Sequence, residues 1–216
     1  GACFIPEYPA HVFPGLSGAY TIGGPSPAFN TFSDAVNNLN NGGAIDSAVF
    51  NVRPGTYNEQ LIIHEFPGTH CNTPVIFKSE SGDTADVYLE YSANSDSNYT
   101  VQLNGAKSVV FRAMTIRSLN NSYGRVIDIR NNASCNTLVN NRLLGIQTSY
   151  TDYDLAVIYS PSGSEADNND TLNRFAGNTI EEGAYGMYYE GYGSQDYNIE
   201  TGIVIKDNYF INQSYR

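Results

Sequence analysis

Tryptophan is absent from the 216 residues, methionine occurs twice, and 22 acidic side chains face only 11 lysines and arginines. The resulting formal charge of −11, with no cluster of basic residues, argues against nucleic acid or an anionic lipid surface as a partner. No apolar stretch approaches the roughly 20 residues that span a bilayer, so membrane insertion is not expected. The three histidines, His11, His64 and His70, are scattered without Cys/His ligand spacing or an H-E-x-x-H motif. No glycine-rich phosphate loop follows a strand pattern, and there is no G-x-S-x-G elbow. Cysteine is scarce and odd in number. Two arrangements fit: a Cys3–Cys71 bridge that clips the N-terminal segment to the first coil and leaves Cys135 buried and free, or three reduced thiols.

What the chain does have is asparagine, serine, glycine, threonine and 17 tyrosines, the usage of turn-rich β structure exposed outside a cell. Short apolar runs recur about every 25–30 residues, a solenoid period: "VFNV" from Val49, "VIFK" from Val75, "VQLN" from Val101, "VIDI" from Val126, "AVIY" from Ala156 and "GMYY" from Gly186. A second set lies between them, with the apolar pairs Phe111 and Ile116, Val139 and Leu144, Phe175 and Ile180, and Ile205 and Phe210. Three residues after the first member of each pair stand Met114, Arg142, Asn178 and Asn208, so asparagine occupies the turn in the last two coils. Asparagine tolerates left-handed backbone angles and stacks in hydrogen-bonded ladders. A single coil buries too little to offset the backbone entropy of about 25 residues, so the coils must stack.

The predicted fold is all-β: a right-handed parallel β-helix of about six coils with a short N-terminal capping helix. Residues 1–30 read as a leader and cap segment and residues 31–216 as the β-helix. Within "TFSDAVNNLNNGG", Phe32, Ala35, Val36 and Leu39 have helical spacing, Thr31 or Ser33 is the N-cap, and Gly42 follows the last turn. The other end has no such lid, so the helix is expected to continue beyond Arg216 in a longer protein.

The order of helix, "VFNVRPGTYNEQLII" and stacked coils resembles the pectin methylesterases and the wider pectin-lyase-like superfamily. The element "PGTYNEQ", Pro54 to Gln60, is a structural turn in that family. Its chemistry uses G-x-Q-D-T and G-x-x-D-F-x-F-G motifs; here "GIQTS" keeps Gln147 but has Thr148 where the first aspartate belongs, and the second motif is missing, so no nucleophile is expected. "GAYTIGG", Gly18 to Gly24, followed by the helix and "NVRPGTYNEQLII", is similar to the N-terminal β-helix of surface and secreted proteins of Bacteroidota. That resemblance implies type IX export, partnership with the secretion machinery, and an adhesive or polysaccharide-directed role, without any catalytic motif.

Strand alternation turns one residue per coil outward, giving a row Arg53, Lys78, Asn104, Arg130, Tyr159 and Tyr189, beside which stands Asp128. Stacked about 4.8 Å apart, these groups suit a polysaccharide: cations for its acidic groups, tyrosine rings for its sugar faces. A merely solvated sheet face fits the same pattern. A lyase reading takes Arg130 or Lys78 as the base and Asp128 as a calcium ligand, but supplies too few carboxylates. Two long acidic loops follow, residues 160–170 and 190–202. No cofactor is required; a Ca²⁺ site could be drawn from Glu165, Asp167, Asp170, Glu190, Asp196 and Glu200, although a merely solvated loop pair fits better, and Tyr185, Tyr188, Tyr192 and Tyr197 form a candidate aromatic patch. The functional expectation is a non-catalytic extracellular module of an adhesin or secreted protein whose partner is a glycan or a surface protein. A carbohydrate-active enzyme and a structural stalk are the alternatives.

Overall fold

The computed structural model describes residues 13–161, 170–191 and 200–215. The chain enters through β1 (Leu16–Ile22) and α1 (Phe32–Gly42) and then winds in triplets of strands. The first triplet is β2 (Ala44–Val52), β3 (Gly55–Asn58) and β4 (Leu61–His64), and the second β5 (Val75–Ser79), β6 (Val87–Tyr91) and β7 (Val101–Asn104). The third is β8 (Val109–Arg112), β9 (Thr115–Ser118) and β10 (Ile127–Arg130), and the fourth β11 (Thr137–Val139), β12 (Arg142–Leu144) and β13 (Ile158–Ser160). The fifth is β14 (Arg174–Ala176), β15 (Thr179–Glu181) and β16 (Met187–Tyr189), followed by β17 (Val204–Lys206) and β18 (Tyr209–Ile211).

Corresponding members of the triplets pair in parallel. Sheet A runs β1-β2-β5-β8-β11-β14-β17, sheet B β3-β6-β9-β12-β15-β18, and sheet C β4-β7-β10-β13-β16. The protein is therefore a parallel β-solenoid of about six turns with one short helix, the expected fold class. Phe50, Phe77 and Phe111 stack through the interior of sheet A with centroids 4.6 and 5.2 Å apart, so successive rungs share one apolar column.

The corners are built from a repeated pair of residues. Ala113, Asn140, Gly177 and Asp207 each adopt a positive φ between sheets A and B, where one left-handed residue turns the chain sharply. After them come Met114, Asn141, Asn178 and Asn208. Asn141 Oδ1 accepts from the Met114 amide, Asn178 Oδ1 from the Asn141 amide and Asn208 Oδ1 from the Asn178 amide, at 3.2, 2.9 and 2.9 Å. Their side-chain nitrogens donate to the carbonyls of Phe111, Leu138 and Phe175, each at 2.8 Å. This asparagine ladder was legible for Asn178 and Asn208, but the fourth coil sits one residue off its expected frame. Asn141, not Arg142, occupies the corner, and Leu138 and Leu143, not Val139 and Leu144, align with Phe175 and Ile180. Asn136 and Asn173 begin a second ladder at the corner leading into sheet A.

Helix α1 forms where its spacing predicts it. Thr31 caps it in a capping box with Asp34, Gly43 follows with φ 72°, and Phe32, Ala35, Val36 and Leu39 are buried. Asn40 donates to the carbonyl of Ile62 and accepts from the amide of His64, so the helix satisfies the outer edge of β4 in place of another strand. "PGTYNEQ" fastens these parts together. Tyr57 donates to the Arg53 carbonyl, Gln60 to the carbonyls of Ser97 and Tyr99, and Glu59 accepts from the amides of Phe32 and Ser33 at the start of α1.

Two expectations are corrected. The disulfide joins Cys71 to Cys135, so the pairing with Cys3 does not form and Cys135 is not free; Cys3 itself lies outside the described residues. Both half-cystines precede strands of sheet A on the same corner, and their Cα atoms are 5.4 Å apart, the ordinary separation for a bridge. Second, the six runs do not lie over each other. Those from Val49 and Val75 belong to sheet A, those from Val101, Val126, Ala156 and Gly186 to sheet C. The insertion between β6 and β7 lengthens the second coil, so that the rung before Val101 on sheet C is Leu61.

Candidate functional site

Because the runs divide between two sheets, so does the outward row. Lys78 lies on sheet A, in register with Asn51 and Arg112. Arg53 follows the end of β2, where its guanidinium donates to the carbonyls of Gly23 and Pro25 and lies 3.9 Å from Glu80. Sheet C brings together Asn104, Asp128, Arg130 and Tyr159. Asn104 and Arg130 share one outward column, preceded by His64, while Asp128 stands in the next column in register with Gln102 and Tyr159, followed by Tyr188.

Tyr189 is corrected from outward to inward. It aligns with buried Ser160, its ring meets Phe175 edge-on at 6.0 Å, and its hydroxyl donates to the Asp170 carbonyl. The slip arises because "YY" offers two equivalent rings and alternation alone does not say which faces out; Tyr188 does. Of the candidate calcium ligands Asp170, Glu190 and Glu200 are described; Glu165, Asp167 and Asp196 lie outside the described residues, as do Tyr192 and Tyr197. Among the described residues no group of three or more acidic, histidine or cysteine side chains is placed to hold a metal ion.

Asp128 is the electrostatic centre of sheet C. It is fully buried and accepts from Arg130 Nε and Nη2, while Arg125 Nη1 lies 3.6 Å from Oδ2 and Gln102 donates at 3.4 Å to Oδ1. Arg125 also bonds Asp154 Oδ1 at 2.7 Å. The pairing with Asp128 raises the Arg130 pKa above its ordinary value, fixing it as a cation. With both carboxylate oxygens engaged by arginines, Asp128 does not serve as a calcium ligand, and Arg130 is held too firmly to act as a base. The lyase geometry expected for these two residues is therefore not built here.

Beside this neutralised cluster runs a strip of tyrosines. The Arg125 guanidinium sits 3.7 Å from the Tyr159 ring centroid, and Tyr159 stacks on Tyr188 at 5.7 Å. Tyr188 meets Tyr153 at 4.6 Å and Tyr185 at 5.8 Å, and Tyr185 meets Tyr215 at 5.0 Å. Burial raises the Tyr159 phenol, and the hydrogen bond to Glu190 pushes that of Tyr188 up to about 12, so both are neutral hydrogen-bonding groups at physiological pH. At the last described rung a cleft of 860 Å³ lies between Tyr153, Tyr185, Tyr188 and Tyr215 and the residues Ile205 and Phe210, which align with the interior Phe175 and Ile180. Tyr185 and Tyr188 were legible as an aromatic patch. Tyr153, Tyr215 and Arg125 were not, since they stand outside the strand runs in the connections and only stacking brings them to this face.

Four more of the described cations are paired with carboxylates. Arg117 pairs with Glu90, Arg142 with Glu181, Lys107 with Glu65 and Lys206 with Asp207. Among the described residues only Lys78, Arg112 and Arg174 lack a carboxylate within 4.0 Å, and all three project from sheet A.

No protein-family model matches the chain, and no curated protein matches it. Two solved structures are similar: the pectin methylesterase from Aspergillus niger in deglycosylated form, at 16% identity, TM-score 0.35, covering 94% of this chain and 89% of that one, and the same enzyme in penultimately deglycosylated form, at 14% identity, TM-score 0.28 and the same coverage. Neither likeness bears on what this chain binds or does.

Proposed function

We propose that this chain is a non-catalytic extracellular β-helix module of a surface or secreted protein, and that it binds carbohydrate along the tyrosine strip of sheet C. The observation that carries the reading is the contiguity of Tyr159, Tyr188, Tyr153, Tyr185 and Tyr215, five rings in successive contact. A sugar ring offers an apolar C–H face and a polar rim, and a tyrosine offers an apolar ring and a polar tip. Repetition of that contact on successive rungs suits a polymer of repeating units. Arg125 and Arg130 are already neutralised by Asp128 and Asp154, so the strip favours neutral sugar faces over acidic ones. The Cys71–Cys135 disulfide supports an oxidising compartment, consistent with export.

The test is a glycan array, followed by titration of the best neutral oligosaccharide, with wild type, Tyr159→Ala and Tyr188→Ala. Each ring contributes about 0.5–1.5 kcal/mol beyond its buried area, so the double variant should bind roughly fivefold to a hundredfold more weakly. Lys78→Ala on the other face should bind as wild type does. Absence of binding to every glycan, or binding untouched by the double substitution, would return the module to the role of a stalk.

A further inference from the structure

Two carboxylates outside the tyrosine strip are partnered in an unusual way. Asp170 precedes β14 and Glu200 precedes β17, and the Leu172 amide donates to the Thr201 carbonyl at 2.8 Å, which puts the two connections on consecutive rungs. Asp170 is wholly buried. Ser160 donates to its Oδ2 at 2.8 Å, yet its Oδ1 is enclosed with no hydrogen-bond partner. Glu200 Oε1 is enclosed and unpartnered in the same way. Neither carboxylate has a lysine or arginine within 4.0 Å among the described residues. The nearest cation that acts on Asp170, Arg130, is already bonded twice to Asp128.

A buried oxygen that can only accept costs about 1–3 kcal/mol if nothing meets it, and more when charged. Carboxylates that hold metal ions show this half-satisfied pattern, with hydrogen bonds orienting one oxygen while the other meets the ion. The Tyr189 hydroxyl lies close by, donating to the Asp170 carbonyl and accepting from Asn173 Nδ2 at 3.0 Å. Every group offered is a hard oxygen, with no imidazole or thiolate, and that donor set selects calcium-like cations over zinc or copper.

We infer that Asp170 and Glu200 form a divalent-cation site of calcium type at the corner between sheets C and A, completed by water, in which the ion ties together the starts of β14 and β17. The site stands apart from the carbohydrate reading and does not rest on it. Burial raises the Asp170 carboxyl to about 6, and burial with the neighbouring Asp170 charge raises that of Glu200 to about 7. Asp128 also raises Asp170, whereas Ser160, the Ala133 backbone and Arg130 lower it.

The experiment is thermal and chemical unfolding of chelator-treated protein with added Ca²⁺, alongside tyrosine-sensitised Tb³⁺ luminescence. At about pH 8, Ca²⁺ at ten times its dissociation constant, expected on the order of 10⁻⁴–10⁻³ M, should raise the folded-to-unfolded ratio about tenfold. Asp170→Asn and Glu200→Gln should each abolish the shift and the Tb³⁺ signal, whereas Tyr159→Ala should keep both. A wild-type protein indifferent to Ca²⁺ at about pH 8, or a shift undiminished in both variants, overturns the site and leaves a shared proton as the partner of the two oxygens. Where a variant does not fold, the wild type decides: Ca²⁺ that neither shifts its midpoint nor displaces Tb³⁺ also overturns the site.

Discussion

Glu59 Oε2 accepts both the amide and the hydroxyl of Ser33, at 2.7 and 2.5 Å, so a side chain from the turn after β3 caps a helix 26 residues earlier in the chain. Its Oε1 takes the Phe32 amide at 3.1 Å. Amides at a helix N-terminus have no intrahelical partner and favour an anionic acceptor. Glu59→Ala is expected to cost about 1–2 kcal/mol in urea unfolding, and Glu59→Gln, which keeps an acceptor, less. Equal stability of wild type and alanine variant would show that solvent caps α1 as well.

The asparagine ladder makes a stronger prediction. Asn178 is fully buried, accepts from the Asn141 amide and donates to the Leu138 carbonyl. Asn178→Ala strands both backbone groups and should cost about 2–4 kcal/mol. Asn41→Ala, an exposed helical position whose side chain bonds Asn37, should cost a few tenths at most. Denaturant midpoints of the two variants would separate them.

Reduction of the Cys71–Cys135 bridge frees a loop of 64 residues, for which chain entropy predicts a loss of about 4 kcal/mol. A Cys71→Ala, Cys135→Ala protein should show that loss without reductant and no further change with it. A midpoint insensitive to reductant in the native chain would contradict the linkage.

Stability should also depend on pH through Asp170 and Glu200. Their folded values, about 6 and about 7, lie above the ordinary 3.8 and 4.5. The folded state then holds protons that the unfolded chain releases, so the pair's contribution is complete below about pH 4 and is lost as pH rises through 6 and 7. In chelator, Asp170→Asn should gain on wild type as the pH climbs across that range. A constant difference between the two proteins would remove the assignment.

Much of the scaffold could be read from the chain because it is written in repeated local signals. The four buried apolar positions of α1, its Thr31 cap and the period of the coils all follow from spacing and residue type. Which run lies over which could not be read, because a similar interval separates Val75 from Val101 across two sheets and Val101 from Ile127 within one. Nor does a three-residue strand fix its own frame: Leu138 and Val139 are equally apolar, and only the alignment of Asn141 with Asn178 settles the choice. The candidate face was half legible. Asp128, Arg130 and Tyr159 were found by alternation, whereas Arg125, Tyr153 and Tyr215 arrive through connections whose paths leave no periodic trace.

The engagement of both Asp128 oxygens by arginines has a kinetic meaning. A face whose charges cancel at contact distance exerts little pull on an approaching molecule, so encounter with a glycan would proceed at an unsteered pace, nearly indifferent to added salt. On the proposed carbohydrate reading, discrimination among sugars would then reside in residence time, in how slowly a ring slides off Tyr159 and Tyr188.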